Sequence, residues 1–243
     1  MIETKKRTLL KAICWKLIGF FCLTFLGYIF TGSFKVAGLI ALAQFIVTFL
    51  IYAAHERIWA RVSWGKTRGI SIQMTGMSGA GKSTISKIAS KNLIKKGYLV
   101  EVIDGDEYRE SLCKDLGFTK PDRNANIRRL SFVSKVLSRN NIISIIAAIN
   151  PYENIREENK IKDPTMKTVY IKCDLGTLFE RDTKGMYARA SLPENHPEKI
   201  ENFTGISDPF EEPKNPDLVL DTSKQTVSES AKIFEKFIIN QIS

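Results

Sequence analysis

The sequence predicts an α/β fold, a doubly wound parallel sheet, preceded by a two-helix transmembrane hairpin. Three observations carry that expectation. Two 19-residue apolar runs lie near the start of the 243-residue chain. After residue 68, short apolar runs alternate with segments of helical period. Between the first such run and the first such helix stands a glycine-rich loop ending in Gly-Lys-Ser.

The apolar runs come first. Residues 12–30 hold one charge, Lys16, and residues 36–54 hold none. About 20 apolar residues in a helix cross a bilayer core. The five-residue turn 31–35 returns the second span antiparallel to the first. Lys16 lies one turn inside the first span, where its stem can snorkel to the headgroups. Lys5, Lys6, Arg7 and Lys11 precede the first span, and Arg57, Arg61, Lys66 and Arg68 follow the second. Only Lys35 marks the turn, so the positive-inside rule puts both ends on the cytoplasmic side of an inner membrane. Trp15, Tyr28, Tyr52, Trp59 and Trp64 fall near the expected interfaces. A cleaved signal peptide fits poorly, because a second span follows directly.

The net charge of +10 raises the question of a nucleic-acid partner, and its location answers it. Residues 1–68 hold ten Lys/Arg and two acids; the other 175 residues hold 26 and 24. The excess belongs to the hairpin module, so no nucleic acid is expected. Cys14, Cys22, Cys113 and Cys173 show no C-x-x-C spacing, which excludes a zinc ribbon, a redox dithiol and a disulfide scaffold.

From residue 69 the elements alternate. Strands are expected at 69–75, 98–104, 142–149, 167–174 and 217–222, with helices at 83–96, 122–140, 175–182 and 226–242. The run 142–149 is apolar but for Ser144, as a strand covered on both faces requires. Five strands with crossover helices make a doubly wound parallel sheet. Two domains follow, 1–68 and 69–243.

Gly76, Met77, Ser78, Gly79, Ala80, Gly81, Lys82 and Ser83 fit G-x-x-x-x-G-K-[ST] in full, and Thr84 follows. The loop leaves a strand and opens a helix, the context the motif needs. Glycines let successive backbone N–H groups turn inward on a phosphate. The helix start adds its positive dipole end. Lys82 can reach the β- and γ-phosphates of ATP, and the Ser83 hydroxyl can coordinate Mg²⁺.

The second strand ends in Asp104-Gly105-Asp106, at the carboxyl edge of the sheet where open α/β folds bind ligands. A carboxylate there can take a proton from an acceptor hydroxyl, orient it, or hold a metal-bound water. Arg109, Arg123, Arg128 and Arg129 form a set of planar cations suited to phosphate or sulfate oxygens. Residues 183–216 carry little periodicity and five prolines, as a lid does.

Residues 70–240 resemble adenylylsulfate (APS) kinases. The runs are GMSGAGKST (76–84), DGDEYRESLCKDLGF (104–118), DRNANIRR (122–129), NPY (150–152), RDTKGMYARA (181–190) and FTGISDPFEEPKNPDLVLDT (203–222). The resemblance implies a P-loop kinase-type sheet and transfer of the ATP γ-phosphate to the 3′-hydroxyl of adenosine 5′-phosphosulfate. It implies that 76–84 hold ATP and Mg²⁺, and that Asp104 and Asp106 serve metal and acceptor, Asp106 as base. It implies that Arg109, Phe118, Arg123, Asn126, Ile149 and Asn150 hold the acceptor. Lys184 and Phe203 would come from the lid, residues 223–228 would border the ATP base, and the kinase would form a homodimer. Arg181 and Arg189 are further lid cations.

The segments KKRTLLKAICWKLIGF, FTGS and IYAAHERIWARVSWG resemble a family of two-span bacterial membrane domains of unknown function. Three departures from the kinase pattern stand out. Asn150 replaces a common serine, Glu153 replaces a common arginine, and residues 191–202 are longer than usual. They leave two alternatives: a kinase of the same mechanism for another nucleotide-linked acceptor, such as a cytidine diphosphoramidate, or a non-enzymatic membrane ATP-binding regulator.

Overall fold

In the computed structural model, which describes residues 5–61, 68–182 and 184–242, the chain divides into two compact units, 1–66 and 67–243. The first is a helical hairpin of α1 (Lys5–Thr31) and α2 (Phe34–Arg61). Its seam is built from small residues: Ala37 and Ala41 are buried, and Gly27 faces the Ala37 side chain. Tyr28 and Phe34 stack at 3.7 Å across the turn. Lys16 donates to the Thr48 hydroxyl at 3.1 Å, so its ammonium finds a partner on the other helix where snorkelling is the sequence expectation. Most large apolar side chains point outward, among them Trp15, Phe21, Phe25 and Phe30.

Among the described residues no helix is long and apolar enough to cross a membrane. The side chains of Ala12, Cys14, Leu50, Ala53 and Ala54, which belong to the two apolar runs, lie outside the described set. So do the flanking cations Lys5, Lys6, Arg7, Lys11, Arg61 and Lys66, and the rings of Trp59 and Trp64.

The second unit carries a five-stranded, all-parallel sheet: β1 (Ile70–Thr75), β2 (Val100–Asp104), β3 (Ile143–Ala147), β4 (Lys167–Lys172) and β5 (Leu218–Asp221), ordered β2-β3-β1-β4-β5. The register sets Ile70 opposite Ile143, which lies opposite Val100. The helices are α3 (Lys82–Lys95), α4 (Gly105–Arg109), α5 (Lys120–Arg139), α6 (Glu153–Lys162), α7 (Leu175–Arg181), α8 (Met186–Ala190) and α9 (Val227–Ile242). The short helices α4, α6 and α8 are absent from the sequence expectation; α8 interrupts the stretch expected to be an unstructured lid.

Helices cover both faces. Ile85, Ala89 and Leu93 of α3 and Ala231, Phe234 and Ile238 of α9 pack with Ile70, Ile72 and Met74 of β1. Ile127 and Leu130 of α5 and Ile155 of α6 pack with Ile146 of β3 on the other face. Leu93 is fully buried, so truncation to alanine costs ~3 kcal/mol. The alternate positions of β1 are polar. Ser71 bonds Ser138, Gln73 donates to Thr168 and to the Arg156 carbonyl, and Thr75 donates to the Asn150 carbonyl. These buried groups are satisfied, and they tie β1 to the segment that forms one wall of the site.

Candidate functional site

The loop between β1 and α3 sits at the carboxyl edge of the central strand. Gly76, Gly79 and Gly81 all adopt positive φ, at 153°, 74° and 101°. At Gly76 the requirement is also spatial: a β-carbon there would lie 2.5 Å from the Ile171 carbonyl. Lys82 opens α3 and folds its ammonium under the loop, 2.8 Å from the Gly76 carbonyl and 2.7 Å from that of Met77. Burial lowers its pKa to about 8, against the opposing pull of Asp106 and Asp104. Two side chains from distant segments brace the loop. Thr222, at the end of β5, donates to the Ala80 carbonyl at 3.0 Å, and Tyr187 of α8 donates to the Ser78 carbonyl at 2.8 Å.

A cavity of about 600 Å³ opens over this loop. Residues 78–84, Asp104, Asp106, Arg181, Lys184 and Tyr187 line it, with Thr222, Gln225, Thr226 and Val227 at one end. The guanidinium of Arg181 is held by the Thr222 carbonyl at 2.8 Å. Asp104 is buried and caps α4, accepting from the Asp106 amide at 3.1 Å. The cap fixes the first carboxylate and turns the second outward. Asp106 pairs there with Lys184 at 2.8 Å, and the pairing raises the Lys184 pKa.

A second cavity of about 180 Å³ adjoins the first. The two share Ser78, Asp106, Ala148, Ile149, Lys184 and Met186. Arg109, Phe118, Arg123, Asn126, Asn150 and Phe203 also line the second. The guanidinium of Arg109 lies 4.4 Å from the centre of the Phe118 ring and donates to the Gly117 carbonyl at 2.9 Å. Burial and the neighbouring Arg123 lower its pKa. Arg123 is buried and donates to the Phe118 carbonyl, the Thr204 hydroxyl and the Asn202 carbonyl. It therefore joins the start of α5 to the segment that carries Phe203. Phe203 packs edge-on against Tyr187 at 4.9 Å and is buried.

Asn150 has φ 47°, a left-handed backbone that asparagine tolerates better than most residues. Its amide nitrogen donates to Gln73 at 3.2 Å, and its Oδ1 has no partner. Asn126 Oδ1 is likewise buried and unpartnered.

Two of the four expected arginines go elsewhere. Arg128 forms a forked pair with Glu158, and Arg129 a forked pair with Asp115. Both stand on the outer face of α5, because a helix turns 100° per residue and Arg123 and Asn126 already occupy the inner face. Arg189 bonds the Glu198 carbonyl, within its own segment.

Arg156 is the group that sequence reasoning missed. It is fully buried, donates to the Asn150 and Glu211 carbonyls at 2.7 and 2.5 Å, and pairs with Glu153 at 2.6 Å. Glu153 in turn accepts from the Lys214 amide. The acid at position 153 thus neutralises a buried cation outside the cavity. An arginine one turn after an acid is common on any helix, so no local signal marks it.

For a divalent ion the described residues hold no cluster of three or more His, Cys, Asp or Glu side chains. The Ser83 hydroxyl and the Asp104 carboxylate, both at the larger cavity, are hard oxygen donors. Such a sparse set fits Mg²⁺ that arrives on a nucleotide and keeps most of its waters.

A nucleotide-sized cavity with a phosphate loop, joined through shared carboxylate and lysine to an arginine-lined pocket, is a phosphotransferase site. The family model for adenylylsulphate kinase matches residues 68–221. The chain belongs to the adenylylsulphate kinase family. The adenylyl-sulfate kinase of Halothermothrix orenii is 47% identical over 169 residues, covering 69% of this chain and 89% of that one. That of Microcystis aeruginosa is 45% identical over 172 residues, covering 70% and 92%. Among solved structures, the Mycobacterium tuberculosis APS kinase in complex with AMPPNP and APS matches with a TM-score of 0.65 and 34% identity, covering 71% of this chain and 98% of that one. A hexameric APS kinase from Thiobacillus denitrificans matches with a TM-score of 0.53 and 25% identity, covering 72% of this chain and 30% of that one. The second unit therefore has the P-loop kinase fold, and the protein is a kinase of this family. Residues 9–60 match a separate family described as a predicted membrane protein, DUF2061.

Proposed function

We propose that this protein is a membrane-anchored adenylyl-sulfate kinase. It transfers the γ-phosphoryl group of ATP to the 3′-hydroxyl of adenosine 5′-phosphosulfate, giving 3′-phosphoadenylylsulfate and ADP. The observation that carries the reading is the pair of adjoining cavities meeting at Asp106 and Lys184. In-line transfer needs donor and acceptor on opposite sides of one point, with a carboxylate beside it.

The larger cavity takes ATP. The amides of 76–84 and the α3 N-terminus hold its phosphates, and the segment 223–228, of which Gln225, Thr226 and Val227 line the cavity, borders its base. Lys82 leaves the loop carbonyls for the phosphates. Ser83 and Asp104 would hold the Mg²⁺ that comes with the nucleotide, and the ion would supply charge neutralisation to the transferring phosphate. The smaller cavity takes the adenylylsulfate. Arg109 and Arg123 meet its anionic groups, Phe118 and Phe203 flank its base, and Asn126, Ile149 and Asn150 shape the wall. Asp106 is freed from Lys184 to accept the 3′-hydroxyl proton, and Lys184 turns to the transferring phosphoryl group. An amide at position 150 cannot carry a phosphoryl group, so transfer is direct.

The anchor rests on three supports: the match to a predicted membrane protein family, the outward apolar side chains of the hairpin, and the flanking cations in the sequence. Lipid is the solvent that suits a hairpin whose seam is built from small residues. The cation count puts both ends and the kinase unit on the cytoplasmic side. Self-association belongs to the same reading.

The unpartnered Asn150 oxygen favours a second reading, the same chemistry on another nucleotide-linked acceptor. The test uses the full chain in lipid nanodiscs with MgATP, following ADP release. Turnover with adenosine 5′-phosphosulfate is expected. Turnover only with a cytidine-linked acceptor favours the second reading, and no acceptor-dependent turnover removes both.

A further inference from the structure

The parallel sheet gives the kinase unit two unlike edges. All five strands begin at one edge, and α3, α5, α6 and α9 run back to end there. The chain also enters the unit there: the Gly69 backbone is packed so tightly on Ser138 and Ile142 that a β-carbon would collide. The phosphate loop, Asp104, Asp106 and Asp182 lie at the opposite edge.

The entry edge is basic. Last-turn cations are Lys95 on α3, Arg139 on α5, and Lys160 with Lys162 on α6. Lys160 and Lys167 share one acid, Asp217, and Arg128 and Lys162 share Glu158. Arg68, Lys91, Lys95 and Arg139 are exposed and make no ion pair among the described residues. The other acids near this edge are Glu235, which pairs with Lys96, the buried Asp163, and Glu101 on the outer strand. Cations at helix ends complement the helix dipole, which accounts for their placement singly. It does not account for the large apolar side chains exposed among them, Ile94, Leu99 and Val136.

We infer that this entry edge of the kinase unit docks on an anionic lipid surface, with Lys95, Arg139, Arg68 and Lys91 among the headgroups and Leu99 and Ile94 against the acyl boundary. The inference rests on the proposed membrane anchor, which holds residue 68 within a short chain length of the bilayer. Charge complementarity selects the occupant: each such cation near an anionic leaflet gains roughly five-fold in occupancy. Apolar side chains interleaved with lysine suit an interfacial layer. Strands of this length hold the catalytic edge ~20 Å from the headgroups, so nucleotides reach the site from the aqueous side.

The experiment places the full chain in nanodiscs of phosphatidylcholine alone, or of phosphatidylcholine with phosphatidylglycerol, and measures amide hydrogen exchange. Exchange across 94–100 and 138–143 is expected to slow several-fold only in the phosphatidylglycerol discs, with 104–110 unchanged. Combining Lys95→Glu with Arg139→Glu is expected to abolish the slowing and leave turnover intact. Equal exchange in both discs, or slowing centred on 104–110, overturns the inference. A chain that leaves the discs in high salt overturns the anchor, since a spanning hairpin is not released by screening; a retained chain with equal exchange in both discs overturns this inference alone.

Discussion

The two cavities of the kinase unit are built in opposite ways. The larger cavity has one short contiguous loop at its centre, residues 78–84, with the Lys82 ammonium folded under it. The smaller cavity draws on α4, α5, the segment after β3 and residues 200–204. Its cations are held by carbonyls from elsewhere in the chain, as Arg123 is by Asn202. A site made of backbone tolerates change around it. A site made of converging side chains fails when any one support moves.

The largest effect should come from the contiguous loop itself. Lys82→Ala removes the only lysine of the loop, and turnover should fall by about 10³-fold with the far-ultraviolet dichroism unchanged. A smaller loss would mean that the loop amides carry the phosphates unaided. Next, Arg123→Ala strikes the assembled cavity. Hydrogen bonds to charged groups are worth ~1.5–3 kcal/mol, so the KM for the acceptor should rise ten-fold or more while that for ATP holds. Equal loss on both substrates would erase the distinction between the cavities.

Acidity provides a third probe. Lys82 titrates at about 8 in the folded protein against 10.5 for a free lysine. Below pH 8 both folded and unfolded states carry the proton, and the cost of burying the charge is fully present. Between about 8 and 10.5 the folded state sheds the proton first, so this group's contribution to stability rises with pH. Nucleotide affinity moves the other way: kcat/KM for ATP should fall above pH 8, by about ten-fold per unit, as the charge is lost. Replacement by arginine, Lys82→Arg, should shift that fall upward; a profile that does not move would assign it to another group.

The smallest effect belongs to Arg128→Ala. Arg128 sits five residues from Arg123 yet pairs with Glu158 on the outer face. An exposed pair of this kind contributes under about 1 kcal/mol, and steady-state constants should stay at the parent values. A rise in the acceptor KM would bring Arg128 back into the cavity.

The same contrast explains which features are legible in the amino-acid order. The five strands lie within two residues of their expected places, because each carries a short β-branched or apolar run bounded by turn and loop residues. The loop 76–83 needs no partner to be recognised. Asp104 and Asp106 follow from the end of a strand. By contrast, Arg128 and Arg129 resemble Arg123 in the sequence, and only the phase of α5 separates them. Helices α4, α6 and α8 are too short or too polar to show a period. Arg156 looks like a surface residue on a charged helix, and the carbonyls that bury it come from residues 150 and 211.

The sequence by itself determined the alternation of elements, the phosphate loop and the carboxylates beside it, since each depends on neighbours within a few residues. Tertiary structure alone decided the strand order β2-β3-β1-β4-β5 and which arginines line the smaller cavity. It also decided the pairing of Lys184 with Asp106 across 78 residues of chain. Local patterns record how a residue sits on its own element. Which elements meet is set by burial summed over the whole core, and no single segment carries that sum.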